Sequence, residues 1–212
     1  TTVIINPKPT VTVTSLPVCQ GLSAPVLATA TPIGIYTYTW TVPAGATNPG
    51  NVAAFATTTP GIYSVIVTNP ITTCPSLPAQ TTVVINPRPI VTVTSPPVCE
   101  GTLATVTATA TPAGTYNYTW TVPAGATNPG NVASFTTTTP GVYSVIAINT
   151  STTCLSLPVQ TTVVINPKPT VTVTSPPVCQ GTPATVTATA TPAGTYAYVW
   201  TVPAGATNPG NV

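Results

Sequence analysis

Five cysteines, Cys19, Cys74, Cys99, Cys154 and Cys179, are the side chains of this sequence best suited to covalent chemistry, and that chemistry is oxidation to disulfides. They stand apart, with no Cys-x-x-Cys pair, so zinc would lack clustered ligands. Little other reactive chemistry is available. The 212 residues carry three cations, Lys8, Arg88 and Lys168, one acid, Glu100, and no His or Met. Acid–base catalysis draws on His or carboxylates, and hard cations need several carboxylate or carbonyl oxygens. Nucleic-acid binding needs a dense basic footprint to release counterions. Charged residues make up 2% of the chain, against roughly 25% in an ordinary domain. The composition therefore points away from an enzyme, from any metal or cofactor, and from a nucleic-acid partner. Lys8 and Lys168 do not suit isopeptide crosslinking, which needs a buried carboxylate, and are read as solvated linker residues. Glu100 stands where Gln20 and Gln180 stand in the other copies, so it is no required catalytic group.

The cysteines sit on an internal repeat. Thr1–Pro9 returns at Thr81–Pro89 and Thr161–Pro169, a period of 80 residues. Cys19, Cys99 and Cys179 follow it, as do Cys74 and Cys154, and Trp40, Trp120 and Trp200. Of the first 80 positions, 59 recur in the second copy, and 46 of the 52 residues of the third match the second. The block Thr41–Val52 occurs three times unchanged. This period is too long for a solenoid unit and suits a small independent domain. Paired prolines fix φ and mark stiff linkers: Pro7 and Pro9, Pro87 and Pro89, Pro167 and Pro169. The expected organisation is the last strand of a preceding repeat at 1–7, repeats at 8–87 and 88–167, and the first half of a third at 168–212. The abrupt opening on Thr1-Thr2-Val3 reads as a mature or internal fragment of a longer array. The rival is a subunit whose half-domain is completed by a neighbour's strand.

Short alternating runs between Pro, Gly and Asn turns predict an all-β sandwich. Strands are expected at Thr10–Thr14 (A), Ala104–Ala110 in the second copy (B), Tyr36–Val42 (C), Val52–Thr58 (E), Tyr63–Thr68 (F) and Thr81–Asn86 (G). The two-residue period places Tyr38, Trp40 and Val42 on one face and Thr37, Thr39 and Thr41 on the other. Trp40, Trp120 and Trp200 should then fill the cores, Trp40 among Val11, Val13, Val26, Phe55, Val65 and Val83 or Val84. Tyr63 and Tyr143, each following Pro-Gly, suit a tyrosine corner. The outward Thr rows read as β-propensity on a wetted face, with lateral packing, glycosylation or ice binding as rival uses. Mean hydropathy is +0.40, yet Pro and Thr interrupt every apolar run short of the ~18–20 residues of a membrane span. Abundant Val, Ile, Tyr and Trp argue against disorder.

The run Val98-Cys99-Glu100-Gly101, Ala104–Ala108, Tyr118-Thr119-Trp120, Pro140–Val145, Thr153-Cys154 and Thr162–Pro167 resembles the immunoglobulin-like or PKD-like repeats of large secreted surface proteins and gliding adhesins of the Bacteroidota. The match covers nearly the whole repeat. It departs from PKD domains in lacking their Asp-Gly-rich turn. It departs from antibody-type domains because Val65 and Val145 stand where the strand-F cysteine would be. The resemblance implies tandem Ig-like sandwiches serving as stalks or spacers, extracellular and on a bacterial surface.

Two pairings of the cysteines compete. The first expectation is within a repeat, Cys19 with Cys74 and Cys99 with Cys154. In an immunoglobulin topology, however, Cys19 lies near the A–B turn and Cys74 near the F–G turn, at opposite ends. A seven-residue strand separates those ends by ~23 Å, while a disulfide needs Cα atoms within about 7 Å. Head-to-tail stacking would instead bring Cys19 to Cys154. Free thiols are the third reading.

The resulting expectation is a structural, non-catalytic filament, fibre or adhesin stalk. Its partners are neighbouring repeats or copies of itself. The alternative is an adhesive module binding surface glycans through loops and the rings of Tyr36 and Tyr38. Stretching such a rod is expected to give unfolding events one domain long.

Overall fold

A strand that alternates Val or Ala with Thr can bury only one face, so these strands must pair into sheets and stack. The computed structural model describes residues 5–211 and shows this arrangement. In the first repeat, β1 (Thr10–Ser15), β3 (Ala24–Thr31) and β5 (Ala54–Thr57) form one antiparallel sheet in the order β1-β3-β5. Its register pairs Val13 with Ala28 and Val26 with Phe55. The facing sheet is β4 (Thr37–Thr41), β6 (Gly61–Thr68) and β7 (Ala79–Val83), in the order β4-β6-β7, with Trp40 opposite Val65. Between them run two short segments, β2 (Val18–Cys19) and β8 (Ile85–Asn86), paired in parallel. These are strands A, B and E against C, F and G, with an A′ segment on G.

The second repeat reproduces this with β9 (Ile90–Thr94), β10 (Val98–Cys99), β11 (Ala104–Thr111), β12 (Tyr116–Thr121), β13 (Ser134–Thr137), β14 (Gly141–Asn149), β15 (Val159–Val163) and β16 (Ile165–Asn166). The chain is thus a tandem of Ig-like β-sandwiches. Beyond the linker at Pro167–Pro169, β17 (Thr170–Thr174) and β18 (Thr187–Thr191) pair as the start of a third copy, with Trp200 half-buried.

Several details depart from the sequence reading. Strand G, expected at Thr81–Asn86, breaks at Val84. There its carbonyl turns from β6 to accept the Val18 amide at 3.1 Å. The pair Val18–Cys19, held between Pro17 and Gly21, is too short to show a period and was not anticipated. Strand E is shorter than Val52–Thr58, because the Val52 carbonyl is taken by the Trp40 indole at 2.9 Å. Most of the strand expected at 1–7 lies outside the described residues, and Ile5 to Pro7 carry no strand.

Each core centres on aromatics. Trp40 is 4% exposed and meets Phe55 edge-on, with centroids 4.9 Å apart; Trp120 and Phe135 repeat the contact. Tyr63 and Tyr143 are fully buried, and each donates its hydroxyl to the carbonyl four residues back, Thr59 or Thr139, at 2.9 Å. Gly61 and Gly141 are needed beside them. At φ +137° and +133°, a Cβ there would lie 2.8–2.9 Å from the rings of Pro43 and Pro123.

The block repeated without change covers the core. Asn48 Nδ2 donates to the Trp40 carbonyl at 3.0 Å and Asn48 Oδ1 accepts the Gly50 amide at 2.9 Å. Asn51 Oδ1 accepts the Tyr38 amide at 2.7 Å. The same bonds recur around Trp120. Both asparagines of the block and the Val52 carbonyl are thus engaged with strand C. Replacing Asn128 by Ala removes two of these bonds at once. It is expected to destabilise the second repeat by about 1–3 kcal/mol, read as a lower urea midpoint of Trp fluorescence. An unchanged midpoint would mean that the loop does not hold the core.

Candidate functional site at the joint between repeats

The site is built on the A′ segment. Val18 donates to Val84 O at 3.1 Å and Gln20 to Asn86 O at 2.8 Å, so Cys19 is held beside the end of strand G, next to the linker. A turn then closes with Leu22 N on Cys19 O at 3.0 Å, through Gly21 at φ +91°. Arg88, inside the linker, folds back and donates from Nε to Gln20 O at 3.0 Å. The second joint has the same plan. Glu100 N donates to Asn166 O at 2.7 Å, the Lys168 amide donates to Glu100 Oε2 at 3.3 Å, and the Lys168 ammonium lies 3.3 Å from where a Cβ on Gly101 would be. The Arg88 guanidinium is therefore fastened to the preceding repeat, whereas the Lys168 ammonium lies near its turn and stays exposed.

The opposite end of each sandwich carries the other cysteine on a folded-back turn. Asn149 Oδ1 accepts the Ser151 and Thr152 amides at 2.9 and 3.1 Å, and Thr153, at φ +57°, donates its amide to Asn149 O at 2.8 Å. Cys154 O accepts the Asn149 amide at 3.0 Å. The buried Ser156 then locks the segment to β14, accepting from Ala147 N at 2.9 Å and donating its own amide to Ala147 O at 2.8 Å. The first repeat builds the same turn from Asn69 to Ser76.

The two ends meet across the linker. Cys19 is bonded to Cys154, with Cα atoms 5.5 Å apart and a sequence separation of 135. This corrects the first expectation. No bond joins Cys19 to Cys74 or Cys99 to Cys154, because the A′ segment and the F–G turn lie at opposite ends of one sandwich. The fold-back after strand F, seen as the bridges Thr68–Pro75 and Ile148–Leu155, does not bring them together. Cys154 is fully buried in the joint, Cys74 is half-buried, and Cys99 and Cys179 are exposed. Beside the disulfide is a groove of about 680 Å³, lined by Gln20, Gly21, Pro89 and Val91 with Leu157 and Val159 of the second repeat. The signal that sequence reasoning missed was the glycine following each first cysteine. Gly21, Gly101 and Gly181 all have φ near +90°, and they mark the turn that presents the thiol.

The aromatic candidates are placed differently. Tyr36 is 8% exposed and its hydroxyl donates to Pro32 O at 2.7 Å. Tyr38 is half-buried and packs on the core. Burial, and then the neighbouring Tyr116, push the Tyr118 phenol above its ordinary range. Among the described residues no group of three or more His, Cys, Asp or Glu gathers to hold a metal. No helix long and apolar enough to cross a membrane occurs among the described residues.

No family model matches the chain, and no curated protein does. Among solved structures, the N-terminal eight Ig domains of Down Syndrome Cell Adhesion Molecule superpose with a TM-score of 0.53. That match has 11% identity over 86% of this chain and 28% of that one. Sidekick-1 immunoglobulin domains 1–4 give 0.36 at 15% identity, over 77% of this chain and 50% of theirs. The chain spans half or less of these neighbours. The first likeness supports the fold, consecutive Ig sandwiches, and nothing beyond it.

The joint predicts a definite thiol count. Alkylated under denaturing conditions without reductant, the chain should take up label at Cys74, Cys99 and Cys179 only. A linked peptide should contain Cys19 and Cys154. Label at Cys19, or a Cys19–Cys74 peptide, would contradict the joint. Cys154→Ser should lower stability by roughly 2–5 kcal/mol, given the long loop that the bond closes.

Proposed function

We propose that this chain is a non-catalytic structural repeat of an extracellular rod or stalk, with sandwiches at 8–87 and 88–167 and a third begun at 168–212. The observation that carries this reading is the disulfide joining one sandwich to the next. A bond within a domain stabilises that domain; a bond across a joint fixes how two domains sit, which matters where orientation is the product. The linkers support it: two prolines limit φ on either side of one residue, and in the linker between the two full sandwiches that residue, Arg88, is tied back to the preceding sandwich. Disulfide use suits an oxidising compartment. The surface offers little repulsion between copies, since charge is nearly absent and the outer strand positions are Thr. Resemblance to repeats of bacterial surface proteins gives the setting.

The glycan-platform alternative finds less support. Stacking on sugars needs open rings, and Tyr36 is buried with its hydroxyl engaged. The exposed apolar side chains of the first repeat are aliphatic instead, with Ile33, Ile35 and Ile71 on its loops.

Two measurements on native material test the proposal. On a fully reduced denaturing gel its mass should be many times 21.3 kDa. Electron microscopy should show unbranched rods that become more bent after reduction. Globular particles, or rods whose bending is indifferent to reductant, would count against a joint-stiffened stalk.

A further inference from the structure

We infer that Cys99 and Cys74 are the two halves of the same joint that Cys19 and Cys154 complete. In a chain of these repeats each first cysteine then bonds the second cysteine of the following repeat, at every joint, and tension bypasses the sandwiches. The inference deepens the stalk reading and rests on it.

Three observations carry it. The Cys99 end is built as the Cys19 end is built. In both, the cysteine is paired in parallel with the strand-G asparagine, Cys19 with Asn86 and Cys99 with Asn166, and the linker cation lies over the following glycine. The Cys74 turn matches the Cys154 turn, down to the left-handed threonine before it, Thr73 at φ +55° and Thr153 at +57°. The third observation is independent of those likenesses. Asn6 is the counterpart of Asn86, the residue beside which Cys19 sits, and Asn6 O lies 3.9 Å from Cys74 Sγ. The residue that corresponds to the end of strand G is thus already at Cys74, in the place where a preceding repeat's cysteine would be held. Each bond forms from two thiols, which release two protons and two electrons to a small external disulfide such as oxidised glutathione, itself reduced to two thiols.

The mechanical consequence follows from the register. The bond takes 135 residues out of the covalent path between its ends. In an array, tension would enter at Cys154 and leave at Cys179, 25 residues on. That segment consists chiefly of β15, β16, the Pro167–Pro169 linker and β17. Strand and polyproline backbone rise ~3.1–3.4 Å per residue, close to the ~3.3–3.6 Å limit of the chain. Little slack remains, and strands B to F lie in loops that carry no tension. An oxidised rod should therefore not show the one-domain unfolding events that the sequence alone suggests.

Two experiments separate the parts. Native material quenched with N-ethylmaleimide, unreduced and digested with pepsin, should yield the Val-Cys-Glu-Gly peptide of Cys99 linked to a Thr-Thr-Cys peptide of another repeat. Maleimide on Cys99, or a Cys99–Cys154 link, would overturn the pairing. The 212-residue chain, pulled by its ends, should gain about 460 Å more contour with reductant than without, from the 135 released residues. Equal contour in both conditions would overturn the bypass. Cys19→Ser should give the longer contour without reductant. Rods seen by microscopy but lacking the Cys99 link would leave the stalk reading standing and sink this one.

Discussion

A disulfide needs Cα atoms within about 7 Å, and an Ig sandwich holds its A′ segment and its F–G turn at opposite ends. That constraint organises the molecule. Two cysteines per repeat, placed at the two ends, cannot meet inside one domain. They meet only when sandwiches stack with the linker between them, as Cys19 and Cys154 do at 5.5 Å. Everything at the joint serves this approach. The A′ segment pins Cys19 to the end of strand G, Gly21 turns the chain away, and Ser156 fastens the Cys154 turn to β14.

With Cys19 and Cys154 bonded across the joint and no disulfide inside either sandwich, each sandwich must hold itself together by packing. Antibody-type domains place a disulfide through the core. Here Val65 and Val145, both buried, occupy the strand-F position. A core this small buries a limited share of its surface. It depends on Trp40, Phe55 and Tyr63 in contact, and on polar groups placed with no waste: an indole on Val52 O, a hydroxyl on Thr59 O, an asparagine capping the loop. An indole or phenol left unpaired in such a core costs more than the bond contributes. This accounts for a loop of twelve residues that is identical in three copies while strands around it exchange Ala for Ser or Val for Ala.

Much of this was legible in the sequence, and the failures have physical causes. The alternation of Thr and Val gave the inward set around Trp40, and the structure buries Val26, Val65 and Val83 against it while Val84 points outward. Tyr63 was readable from the Pro-Gly before it. Strand G was misread at Val84 because a change of pairing partner leaves no mark on a two-residue period. The A′ segment has only two residues, too few to show a period at all. The cysteine pairing was ambiguous because spacing along a chain says nothing of which end of a domain a residue occupies. Estimated strand length favoured the joint, but uncertain strand ends kept the intradomain pair alive. Trp200 shows the limit of transfer by repetition: it has the sequence of a core tryptophan, yet with only β17 and β18 paired around it, it is half-buried.

The few charges complete the argument. All three cations occupy the same repeat position, and each is followed by proline: Lys8-Pro9, Arg88-Pro89 and Lys168-Pro169. Linkers are where proteases usually enter a chain of domains. A proline after the basic residue removes the amide hydrogen and restricts φ, so such a bond fits poorly in a trypsin-like cleft. Arg88 and Lys168 are also folded onto the turn behind them. The same position thus touches the joint and, through its proline, resists cleavage although its side chain is exposed. Elsewhere the surface offers threonine in place of charge, leaving proteases that read basic or acidic side chains little to recognise. Covalent chemistry and charge thus gather at the joint, and the sandwiches on either side are nearly neutral, with apolar cores and threonine-covered faces.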